Sequence, residues 1–134
     1  MMRTVSFTLP EPTPLLNVQQ RKHYRVRSRE KRRLATQIFI LIGKDMPHHP
    51  FQKAKVLVTR YSSGVPDDDG LYGGLKDLLD CLTTPKLMAN GKCKNKYGIS
   101  LIVDDAPAFC EMIAKSVKCK RHEQRTEIVV EDAS

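Results

Sequence analysis

Long apolar runs are missing from this chain. The longest purely aliphatic or aromatic stretch among its 134 residues is IFILI at 38–42, far short of the roughly 20 residues that a bilayer-spanning helix needs. No apolar run of the signal-peptide kind follows the opening MMRTV. A cytoplasmic protein with no membrane partner is therefore expected. The four cysteines, Cys81, Cys93, Cys110 and Cys119, form no CxxC pair, and their spacing fits no zinc ribbon or finger. They read as reduced thiols, since a cytosolic chain of this size does not rely on disulfides. His48-His49 is flanked by Pro47 and Pro50 with no cysteine near, which makes it a turn. There is no internal repeat, and one domain over 1–134 is expected, long enough to bury a core.

Acids are scarce at the start. Residues 1–45 hold ten Lys or Arg against Glu11, Glu30 and Asp45, so they carry +7 of the formal net charge of +8. The remaining 89 residues are nearly neutral. A basic arm beside a separate acidic cluster suits an enzyme of nucleic acids, with cations for phosphates and carboxylates for a metal. A solvated basic face is the bland alternative.

Periodicity supplies the elements. TVSFTLP at 4–10 alternates like a strand, and the prolines of PEPTPLLNVQQ forbid regular structure after it. A helix is expected from Ser28 as N-cap, with Leu34, Ile38, Leu41 and Ile42 as its buried stripe and Gly43 as its stop. Arg25, Arg27, Arg29, Lys31, Arg32 and Arg33 then lie before that helix and on its first turns, where cations oppose the dipole. FQKAKVLVTRY at 51–61 reads as a strand, with Ala54, Val56 and Val58 on one side. From Leu71 a second helix places Leu71, Leu75, Leu78, Leu79 and Leu82 on one face, and Gly73-Gly74 permits close approach of a backbone or phosphate. Residues 83–98 form a loop with Lys86, Lys92, Lys94 and Lys96 and no acid. ISLIV at 99–103 reads as a strand, and FCEMIAKSV and TEIVVE as a closing antiparallel hairpin. The expected class is α+β, a small mixed sheet with two main helices and a C-terminal β-hairpin.

The acids raise the sharper question. PDDDG at 66–70 puts three aspartates at the mouth of a helix, where capping and the dipole account for one or two. Asp104 and Asp105 end the apolar stretch LIV. Carboxylates from two element ends can converge on a hard divalent cation such as magnesium, which in phosphodiester hydrolysis activates water. Alternation lets Asp67 and Asp69 share an ion while Asp68 faces elsewhere. An EF-hand loop is excluded, because Gly70 at its sixth position would put Val65 first and Lys76 twelfth. Lys76, almost two turns after Asp69, falls on about the same side, with Asp80 at i+4 from it. That spacing fits a surface ion pair, or an ammonium beside the metal site.

In order along the chain, TLPEPTP, the basic segment, DDDG, GLKDLLD, DCL and LIVDD resemble the RusA family of Holliday junction resolvases. The resemblance implies a RusA-like nuclease fold and a homodimer. It implies magnesium- or manganese-dependent cutting of four-way DNA junctions. It makes Asp67, Asp69 and Asp105 the metal-binding and catalytic carboxylates, Lys76 the catalytic lysine, and Asp80 and Asp104 supporting positions. Three departures stand out: Gly70 where the family has Asn, a longer step from Asp69 to Lys76, and a longer lysine-rich loop. Arg25, Arg27, Arg29, Arg32 and Arg33, with Lys92, Lys94 and Lys96, are expected to grip backbone phosphates without reading sequence. A branched-DNA-binding protein without turnover is the alternative.

Overall fold

A computed structural model describes residues 3–134; Met1 and Met2, which open the expected domain, lie outside the described residues. The order is β1 (Thr4–Leu9), α1 (Leu16–Arg21), α2 (Tyr24–Ile42), β2 (Ala54–Ser62), α3 (Asp68–Gly73), α4 (Lys76–Leu82), β3 (Lys86–Leu87), β4 (Cys93–Lys94), β5 (Cys110–Lys118) and β6 (Arg125–Asp132). Four strands make a mixed sheet in the order β1-β6-β2-β5, with β5 parallel to β2 and the other pairs antiparallel. The expected α+β class and mixed sheet are what the chain adopts.

Alternation explains the sheet. Val5, Phe7 and Leu9 of β1, Val56 and Val58 of β2, and Ile128 and Val130 of β6 are buried. In register, Val56 stands opposite Val130 and Val58 opposite Ile128. That face packs against Ala35, Ile38 and Ile42 of α2, Leu78 and Leu82 of α4, and Leu75 at the N-cap of α4. Each such aliphatic side chain, fully buried, contributes about 1.5–3 kcal/mol. No helix of the described residues is long and apolar enough to cross a membrane.

Seven expectations need correction. The stretch PEPTPLLNVQQ, expected to lack regular structure, carries α1 from Leu16, beyond its last proline. Leu41, expected in the buried stripe of the long helix, is exposed. Residues 83–98, expected as a loop, pair β3 with β4. α2 begins at Tyr24, with His23 as N-cap accepting from the Arg25 N–H at 3.2 Å, so Arg25 and Arg27 lie inside the helix. The helix expected over 71–82 is two helices, which break where the proline-rich arm crosses. A Cβ at Gly74 would stand 1.8 Å from the Pro14 carbonyl oxygen, so only glycine admits that backbone. ISLIV forms no strand beyond a single bridge from Ile102 to Phe51. Its N–H groups, those of Ile99, Leu101 and Ile102, donate instead to carbonyls of Cys81 and Leu82 at the end of α4, where helical partners run out. The last two strands are both present and run antiparallel, but β2 lies between them, so they do not form a hairpin.

β5 is an outer strand of the sheet. At its midpoint the Tyr72 hydroxyl of α3 donates to the Ala114 carbonyl at 3.2 Å and accepts from the Ala114 N–H at 3.0 Å.

Candidate functional site: two groups of acids

Asp67 caps α3. Its Oδ1 accepts from the Gly70 N–H at 2.7 Å, and a Cβ at residue 70 would meet that oxygen at 2.8 Å. Asp67 and Asp69 share an open hollow of about 390 Å³, and Asp68 does not line it. The opposite wall is Leu15 with Asn17 and Gln20 of α1. Those two amides were not foreseen. They stand near the aspartates where Gly70 offers no side chain.

Asp104 and Asp105 form the second group. Asp104 Oδ1 accepts from the Asp105 N–H at 2.7 Å. Burial first, then the Asp104 carboxyl and the charge of Asp80, push the Asp105 carboxyl above its ordinary range. At Asp104 burial opposes ionisation, but the hydrogen bonds from Asp105 and the charge of Lys94 hold its pKa low. Burial, with both of these charges nearby, also pushes the Cys110 thiol up to about 11. Cys81 is pushed up to about 12, chiefly by burial. All four cysteines are free thiols, as expected.

Between the groups runs α4. Lys76 Nζ is 3.9 Å from Asp80, yet its side chain is 68% exposed and free to turn elsewhere. Asp80 is buried and takes a 3.0 Å contact from Lys31. Asp77, also buried, is clamped by Arg27 through Nε at 2.9 Å and Nη2 at 3.0 Å, with Lys31 at 3.5 Å. The Asp77 hydrogen bond raises the Arg27 pKa. Burial works against the Lys31 ammonium, and its bonds to Asp80 and Asp77 outweigh that cost. Sequence reasoning missed this network. Its signal was present as Arg27 and Lys31 at i,i+4 facing Asp77 and Asp80 at i,i+3 on a second helix.

The fold thus gathers Asp67 with Asp69, and Asp80 with Lys76, Asp104 and Asp105. It does not bring the expected three metal-binding carboxylates into one cluster: Asp105 is not on the wall of the Asp67–Asp69 hollow. Among the described residues no three His, Cys, Asp or Glu side chains stand close enough to enclose an ion. The donor chemistry nevertheless suits a hard cation, being carboxylate and amide oxygen throughout.

The basic residues divide likewise. Arg27 is already neutralised by Asp77. Arg25 lies over the Tyr24 ring at 5.8 Å and donates from Nε to its hydroxyl. Arg29, Arg32 and Arg33 are exposed and line a shallow face with Thr36, Ile40 and Leu41. Lys92 just before β4, Lys94 in it and Lys96 just after it are exposed. Tyr97 joins the two surfaces. Ser28 and Lys96 beside its hydroxyl, with the charge of Arg32, draw its pKa below the ordinary value, and Lys96 Nζ stands 5.0 Å from its ring centre.

Compared with known proteins, the chain matches no family model and no curated protein.

Proposed function

We propose that the chain is a metal-dependent, structure-selective DNA endonuclease that hydrolyses phosphodiesters at four-way junctions as a homodimer. One observation carries this reading. In a chain of net charge +8, Asp67 and Asp69 line one hollow with the amides of Asn17 and Gln20 and, like Asp105 and most other acids of the described residues, have no ion-pair partner, while Asp77 and Asp80 engage Arg27, Lys31 and Lys76. Carboxylates left without a cation in so basic a molecule are suited to an external one. Asp67, Asp69 and Asp105 would hold magnesium or manganese, which supplies an activated water and charge stabilisation at the phosphate. Lys76 reaches outward from Asp80 to hold the scissile phosphate or protonate the leaving oxygen. Arg29, Arg32, Arg33 and the loop lysines bind the DNA backbone through phosphate contacts.

The separation of the two acid groups requires the α3 start and the 104–105 turn to approach each other when metal and DNA bind. That same separation favours a second reading, a junction-binding protein without turnover. Incubation with a synthetic four-way junction, with magnesium or with EDTA, separates the two. Metal-dependent nicking supports the enzyme; tight binding with no cleavage in either condition supports the alternative.

A further inference from the structure

The ribbon of β3 and β4 stands clear of the rest of the fold, and every residue from 85 to 94 is exposed. Lys86 pairs with Lys94 and Leu87 with Cys93. The two lysines therefore share one face of the ribbon, and Leu87 shares the other with Cys93. The turn is ordered. The Met88 N–H donates to the Lys92 carbonyl at 2.8 Å, the Gly91 N–H to the Met88 carbonyl at 3.0 Å, and the Lys92 N–H to Asn90 Oδ1 at 2.9 Å. The root is pinned as well. The Ser100 N–H donates to the Thr83 carbonyl at 3.0 Å and the Thr84 hydroxyl to the Ile102 carbonyl at 2.9 Å. A Cβ at Gly98 would strike the Thr83 carbonyl oxygen.

Two large apolar side chains occupy the tip, Leu87 at 76% exposure and Met88 at 42%. Lys86, Lys92, Lys94 and Lys96 flank them, and residues 83–98 contain no acid. A partner for this tip must be anionic and must also offer apolar contact. A second copy of so basic a chain would be repelled. An anionic bilayer meets both needs, but two side chains are a small anchor for one. Nucleic acid meets both, with phosphates outside and base faces within. Placement favours it, because the root adjoins both surfaces proposed to meet DNA. Tyr97 lies beside Ser28 and Arg32 of α2, and the charge of Lys94 reaches Asp104.

We infer that the ribbon is a wedge, inserting Leu87 and Met88 between stacked bases of bound DNA while its lysines hold the flanking phosphates. Leucine and methionine serve as such wedges in proteins that kink duplexes, where the cost of unstacking is offset by the contacts that the opened DNA allows. The pinned root holds the tip against the strand. Both side chains already face outward, so entry needs no rearrangement of the core. This role rests on the DNA-binding reading of the chain and adds to it the side chains that open the duplex.

The test uses the full chain in EDTA and four-way junctions carrying 2-aminopurine at the crossover or in a pair next to it, with fluorescence read at saturation. Unstacking brightens this probe, and a severalfold rise is expected in at least one placement. Leu87→Ala combined with Met88→Ala should abolish the rise and leave the melting midpoint unchanged, both side chains being exposed. Lys92→Ala combined with Lys94→Ala should keep the rise at saturation. That pair should flatten the log–log salt dependence of binding by about 1.8, near 0.9 per lost phosphate contact. Binding by the wild-type chain without a rise in any placement overturns the wedge and leaves the nuclease reading intact. A rise that survives loss of both Leu87 and Met88 also overturns it. Absence of binding to junction and linear duplex alike removes the DNA reading and the wedge with it. Capture by phosphatidylserine vesicles in that case, lost in the same Leu87 and Met88 variant, gives the ribbon to a membrane instead.

Discussion

Asp77 and Asp80 on α4 and Asp104 and Asp105 beyond it are four aspartates within one neighbourhood, and they are treated oppositely. The first two are buried and take every nearby cation: Arg27, Lys31 and the tip of Lys76. The second two are half-buried and crowd one another, which raises the Asp105 pKa, with only the field of Lys94 to help. Burial of charge demands pairing, and the α4 acids obey. An acid pair left to repel itself is held there at a cost, and such costs gather where chemistry or binding is done. The contrast separates acids that hold the molecule together from acids that are available.

Substitutions sharpen that contrast. The largest effect is expected for Asp105→Asn, which should lower magnesium-dependent junction cleavage by more than about 100-fold, or roughly 2.7 kcal/mol, in single-turnover assays. Its thermal midpoint at pH 7 should not fall. The sign follows from the raised Asp105 pKa: the folded state holds that proton more tightly than the unfolded state. Its contribution is therefore fully present below the ordinary carboxylate value and lost as pH climbs through the raised one. The variant should lack that decline. Asp77→Asn should do the reverse, leaving Arg27 and Lys31 short of a partner and lowering stability by about 2 kcal/mol, since Arg27 is partly exposed. Urea unfolding measures it, and an unchanged midpoint would mean the clamp contributes nothing.

Smaller effects probe the cationic side. Replacing Arg29, Arg32 and Arg33 together by Ala should flatten the dependence of junction affinity on salt by about 2.7 in log–log slope, near 0.9 per lost phosphate contact. The same triple change should leave the melting midpoint nearly untouched, because none of the three makes an ion pair among the described residues. Least of all, Lys76→Ala should cost only a few tenths of a kcal/mol of stability, as for an exposed i,i+4 pair. A wild-type cleavage rate in that variant would remove the lysine from the chemistry.

Local pattern was enough for β1, β2 and β6, where alternation buries Val5, Phe7, Val56, Val58, Ile128 and Val130. It was not enough where partners come from afar. The start of α2 was placed five residues late, with Ser28 as N-cap in place of His23, and its first turns are full of cations. Tertiary pairing with Asp77 and Asp80 offsets that local cost. ISLIV has strand composition, but the open carbonyls at the end of α4 claim its N–H groups. The hairpin failed for a similar reason, since nothing in residues 109–131 announces that β2 will come between its two halves. Among the acids, Asp67 and Asp69 sharing one hollow was legible from spacing. The clamp on Asp77 needed two helices read together.

Tyr72 has a consequence for how copies of this chain meet. Its phenol occupies both hydrogen-bonding groups of Ala114, midway along an outer strand. An incoming strand could not zip along β5 without first prising α3 away. Ribbon-like growth from that border is thereby discouraged, and two copies that associate must meet elsewhere, along β1 on the opposite border or through side chains.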